Sequence, residues 1–188
     1  MKVLVACEFS GRVRSAFRAN GHDAWSCDLY EPAEDGDEHH IMGNAAEVAR
    51  SQHWDLMIAH PPCTHLAVSG ARHFERKRET GLQQAALDFV RSLMGAPIER
   101  IAVENPVSII STAIRRPDQI IQPWQHGHGE TKATCLWLKN LPLLTPSNVV
   151  SGRHHAVHLE PSGKDQWRNR SRTYAGIAAA MANQWGKL

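Results

Sequence analysis

Apolar residues along this chain fall into short continuous runs separated by amphipathic stretches. Lys2–Ala6 is apolar and β-branched, which predicts a buried strand. Ser10-Gly11 leads into a helical stretch over Arg12–Ala19, stopped by Asn20-Gly21. Asp23–Asp28 carries Ala24-Trp25-Ser26-Cys27 and predicts a second strand that ends on an acid. Residues 31–38 predict a loop and 45–52 a short helix. Residues 54–59 predict a third buried strand, stopped by Pro61-Pro62. Residues 64–76 lack periodicity and predict a loop with basic residues. Over 78–94, Leu82, Ala85, Ala86, Phe89, Val90 and Leu93 fall at helical spacing, and Gly95-Ala96-Pro97 ends the helix. Residues 100–103 predict a fourth strand with the turn Glu104-Asn105-Pro106 at its end. Beyond it the pattern predicts helix plus loop over 107–122, loop over 123–132 and a strand over 133–138. A long loop follows over 141–165, and residues 171–185 end in a helix over 176–184.

Strands alternating with helices argue for an α/β fold. The expected architecture is a Rossmann-like, mostly parallel sheet with helices on both faces. Strand, Gly-containing turn, helix, strand and terminal acid are the parts of a nucleotide-binding βαβ unit. In such sheets ligands bind beyond the carboxyl ends of the strands. Three chemically loaded turns fall there: Glu8–Gly11, His60–Cys63 and Glu104-Asn105-Pro106.

Length and composition narrow the class. The 188 residues, 42% of them apolar, suit a single domain with its own core, with 107–165 as a loop-rich, substrate-facing region. No run of about eighteen apolar residues occurs, so no membrane span is expected. The first residues enter a strand pattern without signal-peptide architecture, and a cytoplasmic protein is expected. Net charge is only +2, which neither demands nor excludes nucleic acid. The charge is unevenly placed: residues 31–38 are acidic, while 72–78 and 164–172 are basic, as a phosphate backbone needs or as a solvated face allows. The cysteines, Cys7, Cys27, Cys63 and Cys135, are widely spaced and are expected to be free thiols. His39-His40, His126 with His128, and His154-His155 with His158 lack the full spacing of a zinc motif, and no metal is expected.

Four features could carry chemistry. Cys63 is either a small buried hydrophobe or a nucleophile on a turn stiffened by two prolines. His60 and His65 are near enough in sequence to affect its thiol. Glu104 is either a solvated strand end or a partly buried carboxyl, whose raised pKa would let it donate a proton. Asp28 suits ribose hydroxyls, or caps a turn. Glu8-Phe9-Ser10-Gly11 offers one glycine and is not G-x-G-x-x-G, which disfavours a diphosphate cofactor and suits S-adenosylmethionine.

At these residues the chain resembles the DNA (cytosine-5) methyltransferases. The family's Pro-Pro-Cys motif is similar to Ala59-His60-Pro61-Pro62-Cys63, with Ser69-Gly70 downstream. Its Glu-Asn motif is similar to Glu104-Asn105, followed here by Pro106 where the family usually has valine. The family's cofactor turn is similar to Ala6-Cys7-Glu8-Phe9-Ser10-Gly11, its second-strand acid to Asp28 and its Gly-Asp motif to Gly43-Asn44. Gln166-Trp167-Arg168-Asn169-Arg170 is similar to its Gln-x-Arg-x-Arg motif. The stretches 129–134 and 178–186 resemble small phage-type members, which fits a chain with little room for a large target-recognition domain.

The resemblance implies an enzyme that transfers a methyl group from S-adenosylmethionine to C5 of cytosine, with DNA as substrate partner. Cys63 would attack C6, and Glu104 would hydrogen-bond N3 and the exocyclic amine. Cys7, Glu8, Phe9, Ser10, Gly11, Asp28, Asn44 and Pro61 would hold the cofactor. Pro62, Asn105, Arg168, Arg170 and Arg172 would face the substrate. A base inside a duplex would have to be flipped out. Two other classes stay open: a diverged relative performing another, metal-using reaction on a pyrimidine, and a non-catalytic DNA-binding protein.

Overall fold

A computed structural model describes residues 1–33, 38–154 and 171–188. The α/β expectation holds. Seven strands, β1 (Lys2–Ala6), β2 (Asp23–Asp28), β3 (His40–Met42), β4 (Leu56–Ala59), β5 (Arg100–Pro106), β6 (Gln119–Ile121) and β7 (Thr134–Lys139), form one sheet in the order β3-β2-β1-β4-β5-β7-β6. The five strands from β3 to β5 are parallel, and β7 runs antiparallel to both β5 and β6. The described helices are α1 (Arg12–Ala19), α2 (Ala45–Ser51), α3 (Phe74–Glu79), α4 (Leu82–Met94), α5 (Ile110–Ala113) and α6 (Ala175–Trp185).

Both faces of the sheet are covered, because the strand residues alternate between two apolar layers. Leu4, Ala6, Met57, Ala59, Ile101 and Val103 point to the side that holds Ala45 and Ala49 of α2 and Leu87, Val90 and Leu93 of α4. Val3, Val5, Leu56, Ile58 and Ala102 point to the side that holds Val13 and Phe17 of α1 and Ile177, Ala178 and Met181 of α6. Trp54, Trp137 and Trp185 are almost wholly buried. Each indole N–H donates to a backbone carbonyl, of Val48, Arg115 and Pro142 respectively, at 2.8–3.0 Å. Their ring area is therefore removed from water with no donor left unmet, and such side chains contribute about 1.5–3 kcal/mol each.

The structure corrects the sequence reading in four places. Residues 68–79 are not loop: a 3-10 helix over Val68–His73 runs into α3. The helix expected over 78–94 is two helices, broken at Gly81, whose φ of 73° lies in the left-handed region. Two short edge strands, β3 and β6, were too brief to show periodicity. Finally, β5 continues through Glu104, Asn105 and Pro106, because β7 goes on pairing with it beyond the point where β4 ends.

Candidate active site

Register brings the chemistry to one edge. Ala6 pairs with both Cys27 and Ala59, and Ala59 pairs with Val103. Cys7, Asp28, His60 and Glu104 therefore emerge from four adjacent strands at the same level. The His60 amide still donates to Ala6 O, at 2.9 Å, so His60 keeps the sheet's register. It continues the side-chain parity of Leu56 and Ile58, as Glu104 continues that of Ala102.

On the β1–β2 side the chain turns sharply at Cys7, whose φ of 59° is left-handed. Glu8 is buried, and its carboxylate accepts from the amides of Val13 at 2.7 Å and Arg14 at 3.2 Å, and from Ser10 Oγ at 3.3 Å. Those amides belong to the first turn of α1, where donors have no partner within the helix. Glu8 thus caps α1 from before it. Gly11 takes φ 67° beside the buried Arg14, whose Nη2 would lie 2.2 Å from a Cβ at that position. Arg14 Nη1 donates to Ser26 Oγ, which bonds His40 Nδ1, and His40 Nε2 lies 3.0 Å from Tyr30 O. Phe9 is buried, and its carbonyl accepts from the Ala33 amide. Asp28 is half-buried; burial raises its pKa, against the amides of Tyr30 and Leu29 and the nearby His40 and His60. Burial, with the Asp28 charge, pushes the Cys27 thiol up to about 11 and also raises the Cys7 thiol. Asn44 caps α2, accepting from the Ala46 amide and donating to Glu47.

On the β4–β5 side Pro61 is buried, while Pro62 and Cys63 are exposed. Asn105 Nδ2 donates to Pro61 O at 2.8 Å and fastens the cysteine turn to β5. The Cys63 carbonyl accepts from the amides of Leu66 and Ala67. Val68 N donates to Val107 O and Ile109 N to Leu66 O, so the segment after Cys63 is tied a second time to the β5 side. Lys77 Nζ donates to Thr64 O, and Gln83 Nε2 to His65 O.

Across the same gap His60 Nδ1 donates to Glu104 Oε2 at 2.8 Å, with 10% and 16% of the side chains exposed. The raised carboxyl pKa expected for Glu104 is corrected by this bond. Burial does push Glu104 up, but the hydrogen bond and charge of His60, with Lys132, hold it below the usual value. Burial likewise pushes His60 down, yet Glu104, with Glu8, raises it overall. Each partner thus favours the charged form of the other.

Buried polar atoms without partners gather at this end. They include His60 Nε2, His65 Nδ1, Asn105 Oδ1 and Ser108 Oγ. Such atoms are costly unless water or a ligand meets them. Arg172 is half-buried, with Nε also unmet. Arg168 and Arg170 lie outside the described residues. The loop before β7 packs on the start of α6: His128 Nε2 accepts from Gly176 N at 3.1 Å, Tyr174 Oη donates to Glu130, and His126 is buried against Ser147. These histidines are used in packing. Among the described residues no three His, Cys, Asp or Glu side chains converge as metal ligands, and no helix is long and apolar enough to cross a membrane.

Two features escaped sequence reasoning. His60 was read only as a neighbour of Cys63, and its bond to Glu104, 44 positions away, leaves no local trace. Lys132 lies in a loop without periodicity; its Gly129–Thr134 surroundings were its only signal.

No known family profile and no curated protein matches the chain. Among solved structures it is similar to a prophage-encoded protein of E. coli described as a DNA modification methyltransferase. Identity is 14%, the TM-score is 0.49, and the match covers 79% of this chain and 51% of that one. The chain thus spans about half the length of that neighbour. At this level of identity, fold and chemistry are separate questions.

Proposed function

We propose that the chain is a DNA (cytosine-5) methyltransferase that works through a covalent Cys63 adduct. The observation that carries the reading is the Asn105–Pro61 bond, which locks the Cys63 turn against the strand that bears Glu104. Nucleophile and carboxylate are thereby held on one rigid edge, as a two-point attack on a flat ring requires.

The edge over β1 and β2 fits S-adenosylmethionine in its chemistry. Its two carboxylates, Glu8 and Asp28, suit a cationic ligand bearing a ribose. The amides of α1 that could hold a diphosphate are already taken by Glu8. Cys7, Phe9, Ser10, Gly11, Asn44 and Pro61 line the same reading of the cofactor side. When bound, the cofactor supplies an electrophilic methyl group.

The protein's own residues do the rest. Cys63 Sγ, its thiol proton lost to solvent, bonds C6 of cytosine, and the displaced electron pair is drawn toward N3, which takes a proton. Glu104 meets N3 and the exocyclic amine. Once C5 carries the methyl group, its proton leaves to solvent, the Sγ–C6 bond breaks, and the proton on N3 returns to the enzyme. Pro62, Asn105 and Arg172 are the described residues assigned to the nucleic-acid side, Asn105 through its bond to Pro61, and Arg168 and Arg170 are assigned to it on sequence alone. The substrate-facing region assigned from the sequence is 107–165, within a one-domain enzyme.

The test is to incubate the protein with labelled S-adenosylmethionine and DNA containing 5-fluorocytosine, single- and double-stranded. A denaturation-resistant, labelled adduct is expected, and it is absent in Cys63→Ala. Absence of both adduct and label transfer on either DNA form overturns the reading. Cofactor binding without transfer favours a different pyrimidine reaction.

A further inference from the structure

A cytosine-binding carboxyl needs a proton, and the group beside Glu104 that can carry one is His60, whose Nδ1 lies 2.8 Å from Glu104 Oε2 and largely out of water. Both partners are held by backbone: His60 through its amide bond to Ala6 O, and Glu104 within β5 opposite Leu136. Two polar atoms of the pair remain uncommitted. Glu104 Oε1 has no hydrogen-bond partner among the described residues, and His60 Nε2 is buried without one. A carboxylate with one oxygen held and the other open is a group that can pass a proton on. A half-turn of the carboxyl group about its terminal bond exchanges the two oxygens.

We propose that His60 is a positioning residue that acts through Glu104 as its proton store. It holds one carboxylate oxygen, leaves the other to the pyrimidine, and supplies the proton that Glu104 donates to ring N3. The inference rests on the cytosine reading and deepens it. The step balances. The His60 Nδ1–H bond breaks as an O–H bond forms on Glu104. That O–H bond breaks as N3–H forms, while Cys63 Sγ, its thiol proton already lost to solvent, bonds C6. His60 is left neutral and Glu104 ionised, and the return of the N3 proton on release of Cys63 restores the pair.

The charged and titratable groups facing this pair from neighbouring elements are Glu8 after β1, Asp28 on β2, Lys132 in the loop before β7, and Cys135 on β7. Glu8 favours the histidinium and Lys132 opposes it, so neither sign of charge dominates the surroundings. Among the described residues the side-chain hydrogen-bond partner of His60 is Glu104.

His60→Gln keeps a donor toward Glu104 but carries no exchangeable positive charge, and His60→Ala removes both. The rate of adduct formation with 5-fluorocytosine DNA is measured for each from pH 5 to 9. A proton store predicts that Gln does not rescue: both variants lose on the order of 100-fold in rate at pH 7.5. It also predicts that the alkaline limb of the profile moves at least about one unit to the acid side, because a lone carboxyl releases its proton earlier than the pair. Rescue by Gln with an unchanged alkaline limb overturns the inference while leaving the methyltransferase reading intact. No adduct in the wild-type protein overturns that reading and, with it, the transfer to N3. A second measurement needs no turnover. The His60 imidazole, followed by NMR, is expected to titrate above the ordinary 6.5 in the wild type and below it in Glu104→Gln. Equal titration in the two proteins overturns the pair itself.

Discussion

Two carboxylates, one buried and one largely buried, lie at the same sheet edge and have opposite fates. Glu8, after β1, is satisfied by backbone amides of α1 that cannot titrate or leave. Glu104, on β5, is satisfied by a histidine that can do both, and it keeps one oxygen open. Burial is common to both, so burial is not what makes a carboxylate available for chemistry. The partner is. An amide donor fixes charge and conformation together, whereas an imidazole fixes conformation and leaves the proton negotiable.

The sharpest way to break this comparison is on the Glu104 side. Cys63→Ala is expected to abolish the DNA adduct and label transfer, while unfolding stability changes by less than about 0.5 kcal/mol, since the side chain is exposed. A large loss of stability in a urea melt would show that Cys63 is structural after all. On the Glu8 side the expectation reverses. Glu8→Ala strips the first turn of α1 of its acceptor and costs about 2 kcal/mol in the same melt. If Glu8→Ala unfolds like the wild type, the cap is not holding the helix.

Asn105→Ala should give an intermediate effect. Loss of the bond to Pro61 costs about 1 kcal/mol, and it lowers adduct formation because the cysteine turn is no longer fastened to β5. An adduct rate equal to wild type would mean that the other ties, Val68–Val107 and Ile109–Leu66, hold the turn by themselves.

The smallest effect is the pH dependence of stability. His60 is raised above 6.5 in the folded protein, so its contribution is full below pH 6.5 and is lost as pH rises through its folded value. Glu104 is lowered below 4.5, so its contribution is full above pH 4.5 and is lost as pH falls through its folded value. The stability gap between wild type and Glu104→Gln should therefore be widest between pH 4.5 and 6.5 and narrow as pH rises through the folded value of His60. Chemical melts across that range read it directly. A gap that widens toward pH 9 would contradict the pair.

Much of the molecule was legible from its sequence. The strands β1, β2 and β4 and the helix α1 are written in apolar runs and Gly stops, because a parallel strand buried on both faces must be apolar throughout. The prolines at 61 and 62 marked the cysteine turn for the same local reason: they constrain the backbone wherever they occur. Loss of legibility began where an element depends on a distant neighbour. β3 and β6 have three residues each, and β5 reaches Pro106 only because β7 pairs with it. The roles of the two acids were hidden in the same way. Glu8 shows no helix-capping role until α1 folds back onto it.

The sequence by itself therefore determined the layered α/β architecture and the place of Cys63 on a proline-stiffened turn after β4, since these follow from periodicity and from residues that constrain their own backbone. Only the tertiary structure decided that Glu104 has a histidine for its partner. That depended on β4 and β5 lying side by side in register, which brings His60 and Glu104 to 2.8 Å across 44 residues of chain. Charge and hydrogen bonding act through space, and no local pattern records them.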